Sequence, residues 1–141
     1  MADGCGCCYC GGDWVGGVVS LLRPDKLQGV HPDLIRVANR AAELAPFDVQ
    51  VLEGLRTVER QKTLVANGAS KTMRSRHLTG HAVDLAPVVD GEISWHWPHY
   101  RMLAPAVKEA AAELGIAIEW GGDWSSFKDG PHWQLPWVEY P

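Results

Sequence analysis

Beyond residue 10 the chain contains no cysteine: Cys5, Cys7, Cys8 and Cys10 all lie in the first ten of its 141 residues. No disulfide can staple the remainder, so the core must hold itself by packing, as in a reducing compartment. The C-x-C-C-x-C run lacks the C-x2-C pairs of ordinary structural zinc sites, which leaves a soft-metal site or a disordered or appended Gly-rich head. Residues 1–17 are read as that head and residues 18–141 as one domain, with no repeat and no internal linker. Positive charge is also short. The 13 Lys+Arg stand against 17 Asp+Glu, a formal net charge of -4, which removes the attraction to phosphates on which most nucleic-acid binders rely. No apolar run approaches the roughly 20 residues of a bilayer span, and the stretch from Trp14 to Leu22 is broken by Gly16 and Gly17. The first residues carry no basic region followed by an apolar one, so a soluble protein made without export is expected.

What is present is a set of well-punctuated periodic segments. Leu34, Val37, Ala38, Ala41, Leu44 and Ala45 recur at helical spacing behind Pro32 and Asp33, which predicts a first helix ending near Pro46. Val49, Val51 and Gly54 read as a short strand. Thr57 then caps a second helix that carries Leu64 and Val65 and stops at Asn67-Gly68, with Arg56 at the junction. A third helix spans Pro98 to Leu114 before Gly115, with Pro105 marking a kink or its true start. Strands are predicted at Ala82 to Val89, Ile93 to Trp95 across Asp90-Gly91, Ile116 to Trp120, and His132 to Leu135. Helices before and between strands that include a hairpin predict a small α+β domain, a largely antiparallel sheet packed against about three helices.

The chemistry concentrates in two runs. Ser75 to Asp84 holds two imidazoles and a carboxylate within ten positions. His77 and His81 are four apart, but no Glu follows His77 and Gly80 interrupts a helix, so the helical zinc motif does not apply. On an extended segment Asp84 faces away from His81 and Val83, so His77 pairs with Asp84 while His81 is structural or supports a ligand. The second run, Asp129 to Gln134, delivers His132 from a Gly-Pro turn at a strand start. Two His and one carboxylate leave the fourth position of a tetrahedral zinc open to water, the arrangement of a catalytic site at the sheet, and Asp129 is placed to accept that water's proton. The same residues equally describe satisfied loop histidines and a turn-forming Asp. His96 and His99, among Trp95, Trp97 and Pro98, take no assignment.

SRHLTGHAVDLAP followed by WGGDWSSFKDGPHWQLP resembles the S-x-H-x-x-G-x-A-x-D and (E/D)-x-x-H signatures of the VanY-type zinc peptidases, which include D-alanyl-D-alanine carboxypeptidases. Within that family the chain most resembles phage endolysins with L-alanyl-D-glutamate endopeptidase activity, from about Gly29 through GVHPDL, EGLRTVERQ and GASKTM to Leu135. The resemblance implies one Zn2+ at His77, Asp84 and His132, Asp129 as the catalytic carboxylate, and Arg56 and Ser75 in substrate binding. Many relatives carry Glu at the Asp129 position. A guanidinium at Arg56 suits a peptide carboxylate or a scissile carbonyl, although a solvated helix-start arginine is its plain alternative. Lys71, Arg74 and Arg76 surround Ser75 with positive charge, suited to an anionic stem peptide or to a solvated loop. Trp120 and Trp124 flank the site as cleft wall or as core.

The implied activity is hydrolysis of the L-Ala to D-Glu bond of peptidoglycan stem peptides. A D-alanyl-D-alanine carboxypeptidase and a non-catalytic zinc-containing binding module on the same scaffold are the alternatives. The resemblance further implies accumulation in the cytoplasm of an infected host before lysis, dependence on a holin, and action on the cell wall as a monomer without a membrane anchor.

Overall fold

Pro32 at the first helical position and the His31 Nδ1, which accepts a hydrogen bond from the Asp33 N–H at 3.0 Å, start helix α1, Pro32–Leu44. The computed structural model describes residues 20–141. The cysteine-rich head, including Cys5, Cys7, Cys8 and Cys10, lies outside the described residues. Helix α2, Val58–Ala66, begins where the Thr57 hydroxyl accepts from the Arg60 N–H, and α3, Trp97–Leu114, ends at Gly115 in the left-handed region. The helix α3 runs unbroken through Pro105. That residue is exposed, so the backbone carbonyl it leaves without a donor faces water.

The described residues form six strands: β1 Leu21–Leu22, β2 Asp48–Glu53, β3 Ala82–Val89, β4 Glu92–Ile93, β5 Glu119–Trp120 and β6 His132–Gln134. Their order is β1-β2-β3-β6-β5, with β4 on β3, and every pairing is antiparallel except β1 with β2. The sheet is therefore largely antiparallel and is accompanied by three helices, as the sequence predicts, of which α1 and α3 pack on it. Strands β4 and β5 are shorter than predicted, because only Glu92–Ile93 and Glu119–Trp120 find ladder partners. Strand β1 has no counterpart in the sequence reading: two residues carry too little alternation to be recognised.

One face of the sheet makes the core. Leu34, Val37, Ala38 and Ala41 of α1 and Leu103, Val107 and Ala110 of α3 are buried with Val49, Val51, Val83, Leu85 and Trp133. Trp120 stacks on Trp133 with ring centroids 5.6 Å apart, and its Nε1–H donates to the Gly130 carbonyl. Alternation along β3 then turns Asp84 away from Val83 and Leu85. A bulge in β2 between Val51 and Glu53 places Glu53, not Leu52, across from Asp84. On the other side of β3, Asp84 pairs directly with His132 of β6. The register alone thus sets Glu53, Asp84 and His132 side by side on one face.

Candidate active site

His77 reaches that face from a short 3-10 turn, Arg76–Thr79, which the Ser75 hydroxyl caps by accepting from the His77 N–H. The turn ends at Gly80 with φ 75°. A side chain there would strike the Gly29 carbonyl, so both the backbone sign and the space require glycine. His77, Asp84 and His132 each bring one ligand atom, and these atoms lie within 4.8 Å of one another. His77 Nε2 is 3.2 Å and His132 Nδ1 is 3.5 Å from Asp84 Oδ1. Two bonds of about 2.1 Å at a tetrahedral angle separate their ligand atoms by roughly 3.4 Å.

Burial and hydrogen bonding test whether a metal fits. His77 is 1% exposed, and its Nε2 and the Asp84 Oδ1 are buried without a hydrogen-bond partner. Such orphaned atoms cost free energy unless something between them satisfies both. The outer nitrogen of each imidazole is already engaged: His77 Nδ1–H donates to the Gly54 carbonyl at 2.8 Å, and His132 Nε2–H donates to Gln134 Oε1 at 2.8 Å. Both lone pairs that remain face Asp84. Two neutral imidazoles and a carboxylate suit a divalent zinc-like cation, so the residues present fit the group.

The ionisable groups of the centre are coupled through Asp84. Burial by itself would push the Asp84 carboxyl up, but His132 and His77 beside it outweigh burial and hold it well below the usual carboxylate range. Burial likewise disfavours a charged His132, yet the Asp84 carboxylate wins and raises its pKa. At Asp129 burial and then the Asp84 charge push the carboxyl up.

Asp129 lines the same cleft, half-buried, on a turn in which the His132 N–H donates to the Asp129 carbonyl. The Asp129 N–H donates in turn to the carbonyl of Gly121, and a Cβ on Gly121 would press on both Asp129 and His132. Arg56 is nearly buried rather than solvated. Its guanidinium donates to Glu53 Oε1 at 2.6 Å and Gln61 Oε1 at 2.7 Å and stands 3.8 Å from Asp84, while its Nε–H is buried and unpartnered. The cleft has a volume of about 680 Å³ and is walled by Ser75, Lys71, Arg74 and Trp124.

Several sequence expectations separate here. Trp120 is core, whereas Trp124 lies 5.1 Å from the His132 ring on the cleft side. Arg76 is buried, and its guanidinium donates to the carbonyls of Leu135, Pro136 and Tyr140, so it ties down the C-terminal segment, while Lys71, Arg74 and Lys128 are exposed cations along the cleft. His81 points elsewhere, its Nδ1 2.7 Å from the Thr79 hydroxyl and its ring beside His31 and Tyr140.

Glu53, Glu119, Gln61 and Gln134 escaped the sequence reading. Gln61 is fully buried, accepts from Arg56 and donates to the Ser70 hydroxyl and the Thr72 carbonyl. Its one legible signal is a polar residue on the α2 face that also carries Leu64 and Val65. Gln61→Leu is expected to cost about 1–3 kcal/mol of stability by stranding buried polar groups, and to lower activity through Arg56 while zinc stoichiometry stays unchanged. Thermal melts and metal analysis of the purified variant check this.

Fold and site together define a small α+β protein with a two-histidine, one-carboxylate centre at the edge of an open cleft. The family model described as phage L-alanyl-D-glutamate peptidase matches residues 19–134. The chain is 38% identical over 108 residues to the L-alanyl-D-glutamate peptidase of Escherichia phage T5, covering 74% of this chain and 79% of that protein. It is 34% identical over 110 residues to the peptidoglycan L-alanyl-D-glutamate endopeptidase CwlK of Bacillus subtilis, covering 67% and 65%. The crystal structure of the Serratia marcescens L-Ala D-Glu endopeptidase ChiX matches with a TM-score of 0.80 and 50% identity over 83% of this chain and 88% of that one. This chain belongs to the phage L-alanyl-D-glutamate peptidase family.

Proposed function

We propose that the protein is a peptidoglycan-degrading endopeptidase that cuts the L-Ala–D-Glu bond of the stem peptide, with one Zn2+ held by His77, Asp84 and His132. The observation that carries this reading is the convergence of the buried, unpartnered His77 Nε2 and Asp84 Oδ1 with His132 Nδ1 on an open cleft, in a chain of this family. When bound, zinc supplies Lewis acidity toward a carbonyl and lowers the pKa of water. The remaining work falls to the protein. Asp129 accepts the proton of the attacking water and passes it to the leaving amine of D-Glu. Its raised pKa makes it a better base than an ordinary surface carboxylate. Arg56, held by Glu53 and Gln61, lines the cleft with a guanidinium suited to the carbonyl or a carboxylate of the peptide. The Ser75 hydroxyl accepts one backbone hydrogen bond as a cap and keeps its own proton to donate to substrate. Lys71 and Arg74 give the cleft a positive side for an anionic stem peptide.

No helix among the described residues is long and apolar enough to cross a membrane. The proposal extends to an endolysin that acts as a monomer on the cell wall and reaches it from the host cytoplasm through holin lesions. Mass spectrometry of digested peptidoglycan tests the bond: new D-Glu amino termini are expected. Loss of terminal D-Ala alone would move the protein to the carboxypeptidases, and intact peptides with zinc-loaded enzyme would favour a binding module.

A further inference from the structure

We propose that Gln134 is a positioning residue that selects the metal-facing nitrogen of His132, and that Glu119 holds Gln134 in the orientation that does so; the inference rests on the zinc reading above. A neutral imidazole carries one proton, on either nitrogen, and only the bare nitrogen can ligate. The proton must therefore be kept on Nε2 for Nδ1 to face the centre. Gln134 Oε1 stands 2.8 Å from Nε2 and, as a carbonyl oxygen, can only accept, which places the proton there.

An amide can flip. Turned over, Gln134 would offer its NH2 to Nε2, draw the proton to Nδ1 and close the ligand position. What opposes the flip is Glu119: Gln134 Nε2–H donates to Glu119 Oε1 at 3.1 Å, and a flipped amide would set its oxygen against that acceptor-only carboxylate. The sheet builds this relay directly. His132 and Gln134 are two apart on β6 and share a face, and Glu119 of β5 is the registered partner of Gln134. His77 shows the contrast, since its Nδ1–H is held by the Gly54 backbone carbonyl, which cannot flip and needs no second support. Gln134 is buried, so water does not compete for its bond to His132, while Glu119 reaches it from the exposed edge of the sheet.

The experiment combines long-range 1H–15N spectra of 15N-histidine protein at alkaline pH, which read which ring nitrogen carries the proton, with zinc affinity from competition against a chromogenic chelator. Wild type is expected to hold the His132 proton on Nε2 both without metal and with zinc. Gln134→Leu is expected to mix the tautomers of the metal-free protein and to weaken zinc binding about 10–100-fold. Glu119→Ala should shift both readouts in the same direction by less. The double exchange Q134E with E119Q retains an acceptor for His132 and a donor opposite it, and is expected to recover the Nε2 proton. A merely structural role would lower thermal stability without moving the tautomer.

A wild-type His132 protonated on Nδ1 overturns the proposal even if Gln134→Leu fails to fold. So does a folded Gln134→Leu with unchanged tautomer and zinc affinity, and an unchanged Glu119→Ala removes Glu119 from the relay. A wild type with the Nε2 proton in place that binds no zinc contradicts the metal reading and leaves the tautomer relay standing.

Discussion

Asp129→Ala is expected to leave zinc bound at one ion per chain and to lower the rate of stem-peptide hydrolysis about 10²–10⁴-fold, the contribution of a positioned general base. At 1.36 kcal/mol per tenfold this is about 3–5 kcal/mol of transition-state stabilisation. The two readouts separate because of where the residue sits: Asp129 stands on the turn before β6 and is not among the three side chains whose ligand atoms converge. The variant loses the group that moves the proton while the centre keeps its imidazoles and carboxylate. Asp129→Asn keeps the shape of the turn residue without its basicity and should be nearly as slow, which distinguishes lost chemistry from a displaced loop. Unchanged turnover in either variant removes Asp129 from the mechanism.

His77→Ala should do the opposite, releasing the metal and with it part of the fold's stability. A ligand that binds only the native state stabilises it by about 4.1 kcal/mol when present at 1,000 times its Kd. For a domain of this size that corresponds to roughly 10–20 °C in Tm. The alanine also strands the Gly54 carbonyl that the imidazole now satisfies and leaves Asp84 without one of the two imidazoles that keep it ionised. Calorimetry with and without a chelator measures the effect. Wild type should fall to the variant's Tm when the metal is removed, apart from the stranded carbonyl, and a chelator should leave the variant unchanged. A wild-type Tm indifferent to the chelator would mean that no stabilising metal is held there.

The elements legible in the sequence are those with local punctuation. Pro32, Thr57 and Gly115 mark helix boundaries because the groups that start and stop a helix are neighbours in sequence. Strand β3 runs from Ala82 to Val89 as its apolar pattern predicts. Parity along it separates Asp84 from His81 without knowledge of the fold, and the structure has His81 beside His31 and Tyr140. What was not legible depends on register between distant strands. The bulge that puts Glu53 across from Asp84, the alignment of Asp84 with His132, and the pairing of Glu119 with Gln134 are set by tertiary packing that no local spacing encodes. Arg76 misled for a related reason. Its neighbours in the chain are basic and exposed, but its partners are carbonyls some 60 residues away.

The central claim is that one metal ion, held by His77, Asp84 and His132, makes this cleft a peptidase. Titrating zinc into chelator-stripped protein while counting new D-Glu amino termini released from purified peptidoglycan tests it most directly. The account predicts no cleavage at zero zinc and a rate that saturates at one zinc per chain. Full cleavage by the stripped protein, or saturation that persists when His132 is replaced by alanine, would contradict it.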